Sequence, residues 1–306
     1  MSQAELAAQK SGAARLSVVW NVLLVSLKVG VAFFTGSVSV LSEAVHSVTD
    51  LLAAGLAFYA VRAAGRPADE VYPYGRGKWE NVSGTVEALL IFGASVAIIW
   101  EAIQRALYGA EVQQLSWAIA VMFLASTGNW WVSRHLFRVA ARTESVALEA
   151  DAHNLRVDVY SSLGVLAGLA LIQATGYVVL DSVVAIGVGL LNIKVAWDVS
   201  RGAIGPLLDI ALPEEEVQLV DQLLRQDPRI LGYHKLRTRR AGPYREIDLH
   251  LFVADDLAVG EAHELAEDAE DRIREALSGV RIITHVEPWS EQTPQDRARF
   301  LHWRET

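Results

Sequence analysis

The sequence predicts a bundle of six transmembrane helices followed by a cytoplasmic α+β domain of order α-β-β-α-β. Six apolar stretches are each long enough to cross a hydrocarbon core, which takes about 20 residues of helix. The lysines and arginines of the short connections gather on one side of those stretches. After Pro206 the pattern changes to amphipathic helix and short strands.

The apolar stretches run over residues 14–35, 38–62, 79–107, 113–137, 145–174 and 178–205. Turns are expected at Thr35-Gly36-Ser37, Arg66–Gly77, Gly109–Gln114, Arg138–Glu144 and Thr175-Gly176. The first turn is short enough to make a tight hairpin of spans one and two. Gly164 and Gly168, four apart in the fifth span, allow close helix contact. Lys10, Arg15, Arg62, Arg66, Arg76, Lys78, Arg134, Arg138, Arg142 and Arg201 all fall on one side. Both termini are therefore expected in the cytoplasm of a cell whose inner (plasma) membrane holds the chain. The polar start, Met1–Gly12, shows no cleavable signal.

In the C-terminal part, Pro213 opens an amphipathic helix to Arg225, with Glu214, Glu215 and Glu216 where the helix dipole favours acid. A strand near 230–239, a turn at Ala241-Gly242-Pro243 and a strand over 244–253 follow. A helix over 260–277 and a strand over 280–287 complete the domain. The expected division is a cytoplasmic segment 1–13, a membrane domain 14–208, a metal-binding and dimerisation domain 209–290 and a polar tail 291–306.

Of the 306 residues, 52% are hydrophobic, and the net charge of -9 argues against nucleic acid as a partner. There is no cysteine, which excludes disulfides and thiolate metal sites, so a metal must be held by His, Asp, Glu, Asn or backbone oxygen.

Charge inside a span is costly, about 2.5–3.5 kcal/mol per residue at the helix centre on insertion scales. The second span nevertheless contains Glu43-Ala44-Val45-His46-Ser47-Val48-Thr49-Asp50, and the fifth Asp151-Ala152-His153-Asn154-Leu155-Arg156-Val157-Asp158. Both follow the pattern acid-Ala-x-(His/Asn)-x-x-x-Asp, which pairs His46 with Asn154 and Asp50 with Asp158. Residues four apart share a helix face. Two such faces together offer an imidazole, an amide oxygen and two carboxylates, a set able to neutralise a divalent cation. His153 lies about 100° around the helix from Asn154. It is either a helix-interface residue or an alternative fourth ligand.

In the C-terminal domain, Asp248-x-His250 and His285-x-Glu287 each place two side chains on one face of a strand.

These segments, with Asn21–Asp50 and Pro73-Tyr74-Gly75-Arg76-Gly77-Lys78, resemble the cation diffusion facilitator family over about residues 14–290. The resemblance implies a homodimeric exporter of divalent transition metals, working by alternating access with protons moving the other way. It carries the transport site onto His46, Asp50, Asn154 and Asp158. It also carries a cytoplasmic site onto His234, His250, His263, His285 and Glu287. Zinc stands first among the candidate metals, with manganese, iron(II), cobalt and cadmium behind it; the family's zinc members usually have His where this chain has Asn154, a harder oxygen ligand that lowers the zinc advantage. Family members often bind metal between spans two and three; here Asp69 remains but Tyr72 and Arg76 stand at the matching positions, and no loop site is expected.

Two rival classes are a membrane metal sensor that does not transport and an intramembrane metallo-hydrolase. The second usually needs an H-E-x-x-H type motif, absent from this sequence.

Overall fold

The computed structural model describes residues 3–35, 38–108, 116–175, 177, 179–293 and 295. Most of the polar tail (294 and 296–306) and the turn centres at 36–37 and 109–115 lie outside them. The chain forms two compact units, Met1–Ile204 and Gly205–Thr306.

Among the described residues, six long helices make up the first unit, the last of them ending just past its boundary: α1 (Gln3–Thr35), α2 (Val38–Ala64), α3 (Lys78–Tyr108), α4 (Ser116–Thr143), α5 (Val146–Thr175) and α6 (Val179–Leu207). Its interior is built from small residues, including Ala13, Ala14, Ala60, Ala147 and Ala152, with Val132, Leu136 and Leu155 filling between them. Large apolar side chains point outward instead, Leu52, Leu89, Trp100, Trp131 and Trp197 among them. That inversion suits a bundle solvated by lipid, where large side chains gain nothing by turning inward and small ones let helices approach. Gly164 shows the spacing: a Cβ there would lie 2.6 Å from Val188 on α6.

By length and apolarity, α1, α2, α3 and α6 pass as membrane spans among the described residues. α4 and α5 carry internal charge, Arg134 and Arg138 in one, Asp151, Arg156 and Asp158 in the other. In α5 that polarity is what builds the site.

Two boundaries differ from expectation. α1 begins at Gln3 rather than near residue 14. Its first turns are rich in alanine, the strongest helix former, and Lys10 reaches buried Glu80 on α3 at 3.3 Å. The expected turn 138–144 is helical to Thr143, since long arginine stems can lie along a helix while their heads reach water. The chain breaks only at Glu144, whose φ of 52° cannot continue a helix. Ser145 then caps α5, its hydroxyl accepting from the Leu148 amide and donating to Glu80 at 2.6 Å.

The second unit holds α7 (Glu214–Arg225), β1 (Gly232–Ala241), β2 (Tyr244–Val253), α8 (Val259–Ala276) and β3 (Val280–Pro288). The sheet order is β1-β2-β3, with β2 antiparallel to β1 and parallel to β3. α7 and α8 contribute Val220, Leu224, Leu265 and Ile273 to a core with Ile247, Leu249, Leu251 and Phe252. An irregularity between His234 and Arg237, with Lys235 at φ 50°, bulges β1.

Asp227, just after α7, is buried and binds the Arg229 side chain and backbone amide, with Arg272 at 3.3 Å. The Arg229 hydrogen bond, assisted by that amide and both guanidinium charges, outweighs burial and pushes its carboxyl down to about 2. A depressed carboxyl stabilises the fold above its unfolded-state value and loses that contribution as pH falls through the folded one. Asp227→Asn is therefore expected to cost the domain about 2 kcal/mol at neutral pH and to flatten its loss of stability between pH 4 and pH 2. Urea unfolding across that range measures both.

Candidate metal centres

Within the helical unit, α2 and α5 bring His46, Asp50 and Asp158 together. One ligand atom from each lies within 4.8 Å of the other two. His46 Nε2 is 3.7 Å from Asp158 Oδ1, and the Asn154 amide donates to Asp50 Oδ1 at 3.4 Å. The repeated alanines beside these ligands, Ala44 and Ala152, are both fully buried, which lets the two segments approach. Asp50 and Asn154 are buried, whereas the His46 side chain is 48% exposed. The three ligand atoms are close enough for one cation to draw them to bonds of about 2.0–2.2 Å. Asn154 ligates through its oxygen only after a half-turn of the amide, a soft torsion.

His153 is not brought to this cluster. Its ring packs edge-on against Phe137 of α4, centroids 4.7 Å apart. In the loop after α2, Asp69 accepts hydrogen bonds from the backbone amides of Tyr72 and Val71 and pairs with Arg76 at 2.6 Å, and Arg76 in turn covers the Tyr72 ring. The Tyr72 amide and the Arg76 guanidinium hold the Asp69 carboxyl below its ordinary range.

In the second unit, register gathers the ligands. His234 pairs with His250 across β1 and β2, and His250 with His285 across β2 and β3, so three imidazoles form one row over the sheet. Glu287, two residues along β3, shares that face. It lies 2.8 Å from His234 Nε2 and 2.6 Å from His250 Nδ1. His234, His250 and Glu287 form a cluster within 4.8 Å, while His285 stands beside it, 3.8 Å from Glu287 and mostly exposed. Burial would raise the Glu287 carboxyl. The hydrogen bond with His250 and the fields of His234 and Lys235 outweigh it and hold the group below the usual range. His263 is not gathered here; it stands exposed on α8 beside Glu267 at 3.5 Å.

Two neighbours of the transmembrane cluster escaped sequence reasoning. Lys28 of α1 is buried and donates to Ser47, the residue after His46, at 2.7 Å. A lysine inside an apolar span was itself the signal. Asn129 of α4 donates to Asp158 Oδ2 at 3.2 Å, and no local pattern marks it.

A bundle that turns its large apolar side chains outward and holds a His/carboxylate cluster between two helices, with a second such cluster on an appended α+β unit, has the features of a membrane protein that handles cations. Residues 14–208 match the cation efflux transmembrane domain and residues 212–289 the cation efflux protein cytoplasmic domain. The chain belongs to this family, the cation diffusion facilitators, whose members are transporters rather than enzymes. It is 35% identical to an uncharacterized transporter of Synechocystis sp., over 89% of this chain and 88% of that one. It is 33% identical to the cation-efflux pump FieF of Pectobacterium atrosepticum, over 91% of this chain and 92% of that one. A solved structure of a candidate zinc transporter, CzrB, in its zinc form, matches at 40% identity over 27% of this chain and 96% of that one, with a TM-score of 0.26.

Proposed function

We propose that this cation efflux protein exports divalent transition metals from the cytoplasm, as a homodimer working by alternating access, in exchange for protons. The observation that carries the reading is the convergence of His46, Asp50 and Asp158, with Asn154 beside them, inside the lipid-solvated unit. Metal binding needs a neutral imidazole and ionised carboxylates, so a proton arriving from outside competes for the ligands that hold the cation. Zinc is the first candidate substrate, with manganese, iron(II), cobalt and cadmium behind it. The one-sided arginines and lysines support cytoplasmic termini in the inner membrane. Sealed vesicles loaded with each metal in turn, under an imposed pH gradient, test this. Flux that the gradient accelerates is expected. Flux indifferent to the gradient removes the antiport, and absence of flux with every metal leaves a membrane sensor in its place.

The cytoplasmic cluster supports a regulatory or dimer-stabilising role, because its ligands are distinct from those in the bundle. His263 and the outer edge of His285 are exposed, as residues completing a site against a partner subunit would be. Changing His250 and His285 together to Ala is expected to remove metal from the isolated domain (residues 209–290) and weaken its self-association. Transport by the full chain should fall only partly. Titration calorimetry that finds no divalent metal bound by the unmodified domain overturns this role.

A further inference from the structure

Asp158 is held from behind by a relay that crosses three helices. The Trp20 indole of α1 donates to Asn129 Oδ1 of α4 at 2.7 Å. The Asn129 amide then donates to Asp158 Oδ2 of α5 at 3.2 Å. Asn129 is 5% exposed, and its amide joins an aromatic donor to a metal ligand. The direction of this chain follows from chemistry. An indole N–H can only donate, so the face of the amide turned to Trp20 must be its oxygen. The NH₂ group is thereby aimed at Asp158, and the carboxylate receives a donor on Oδ2 while Oδ1 faces His46.

The indole is built into place rather than resting there. Gly128 precedes Asn129, and a Cβ at that position would lie 1.9 Å from Trp20 Cζ2. Any other residue would drive the ring off α4. Trp20 also packs against the core around Val132 and Leu136.

We propose that Asn129, oriented by Trp20, is a positioning residue for Asp158. It fixes the carboxylate in the rotamer that presents Oδ1 to the cation. Without the indole, the amide can turn its oxygen towards Asp158, which repels the ionised carboxylate the metal requires. Partners of this kind, one step removed from a metal, commonly change affinity by about 10–100-fold when removed. The inference rests on reading Asp158 as a transport ligand.

The test uses the full chain in proteoliposomes with Mn²⁺ as the probe. Asn129→Leu is expected to raise the transport KM about tenfold, and Trp20→Phe, which keeps an aromatic ring and loses the N–H, to raise it in the same direction. Elution and thermal unfolding should match the unmodified protein. The double variant should be no worse than Asn129→Leu alone, because both changes cut one chain. An unchanged KM, a fall confined to Vmax, or a double variant whose effect is the product of the two singles overturns the proposal. Should Asn129→Leu fail to fold, an unchanged KM in Trp20→Phe overturns it alone. Asp158→Asn runs beside these: transport surviving in that variant removes the site reading itself, whatever the relay variants do.

Discussion

Asp50→Ala and Asp158→Ala are each expected to abolish metal flux, by more than the roughly 100-fold that loss of an indirect partner can cost, while the protein still elutes as a folded dimer. The two carboxylates are the negative charges in the cluster with His46, so deleting either leaves one against a divalent cation. The variants differ in what remains. Without Asp50, the Asn154 amide loses the acceptor it now holds, and the Lys28 charge loses a carboxylate that it acts on. Without Asp158, His46 and Asn129 lose their shared partner. Vesicle flux measured beside size-exclusion elution separates loss of transport from loss of fold. Unmodified rates in either variant would remove these residues from the path.

Asn154→His is expected to move the zinc-to-manganese flux ratio towards zinc by about tenfold, a difference near 1.4 kcal/mol. Zinc favours imidazole nitrogen, while an amide oxygen is a harder ligand better suited to manganese or iron(II). The unmodified site, with one imidazole, should still bind zinc, because the affinity order of divalent metals favours zinc over manganese at most nitrogen and oxygen sites. His153→Ala should leave the ratio unchanged, since that ring packs against Phe137. The opposite pair of results, zinc transport destroyed by His153→Ala and an unmoved ratio in Asn154→His, would make His153 the ligand.

The order of helices and strands was legible because each has its own period and its own breakers, and the α-β-β-α-β succession after Pro206 appears as expected. Helix ends were less so. Arginines that suggest a turn in sequence lie along the last turns of α4, and an alanine-rich start that looks like a polar leader is the first part of α1. Of the transmembrane cluster, the part that repeats within the chain was visible: a short pattern occurring twice points to His46, Asp50 and Asp158, which the fold brings together, and to Asn154 beside them. The part that does not repeat was not. Asn129 and Trp20 are 109 residues apart and meet only because α1 packs on α4. In the cytoplasmic unit, two-residue spacing placed His285 and Glu287 on one face, but the row of three imidazoles depends on strand register, which spacing within one strand does not carry.

The bulge in β1 makes the reading frame of that strand a matter of phase. Up to His234 the strand is in step with the imidazole row; beyond it, Arg237 pairs with Asp248 and Arg239 with Glu246. The extra residue restores the phase: a regular strand continuing from His234 would set Arg237 opposite Ile247 and Arg239 opposite Arg245, on the buried face and away from Glu246 and Asp209. A chain one residue shorter between His234 and Arg237 would need no bulge, since Arg237 and Arg239 would meet Asp248 and Glu246 in regular register. Among related chains, a one-residue gap here should therefore accompany a regular strand that keeps both the row and the ladder.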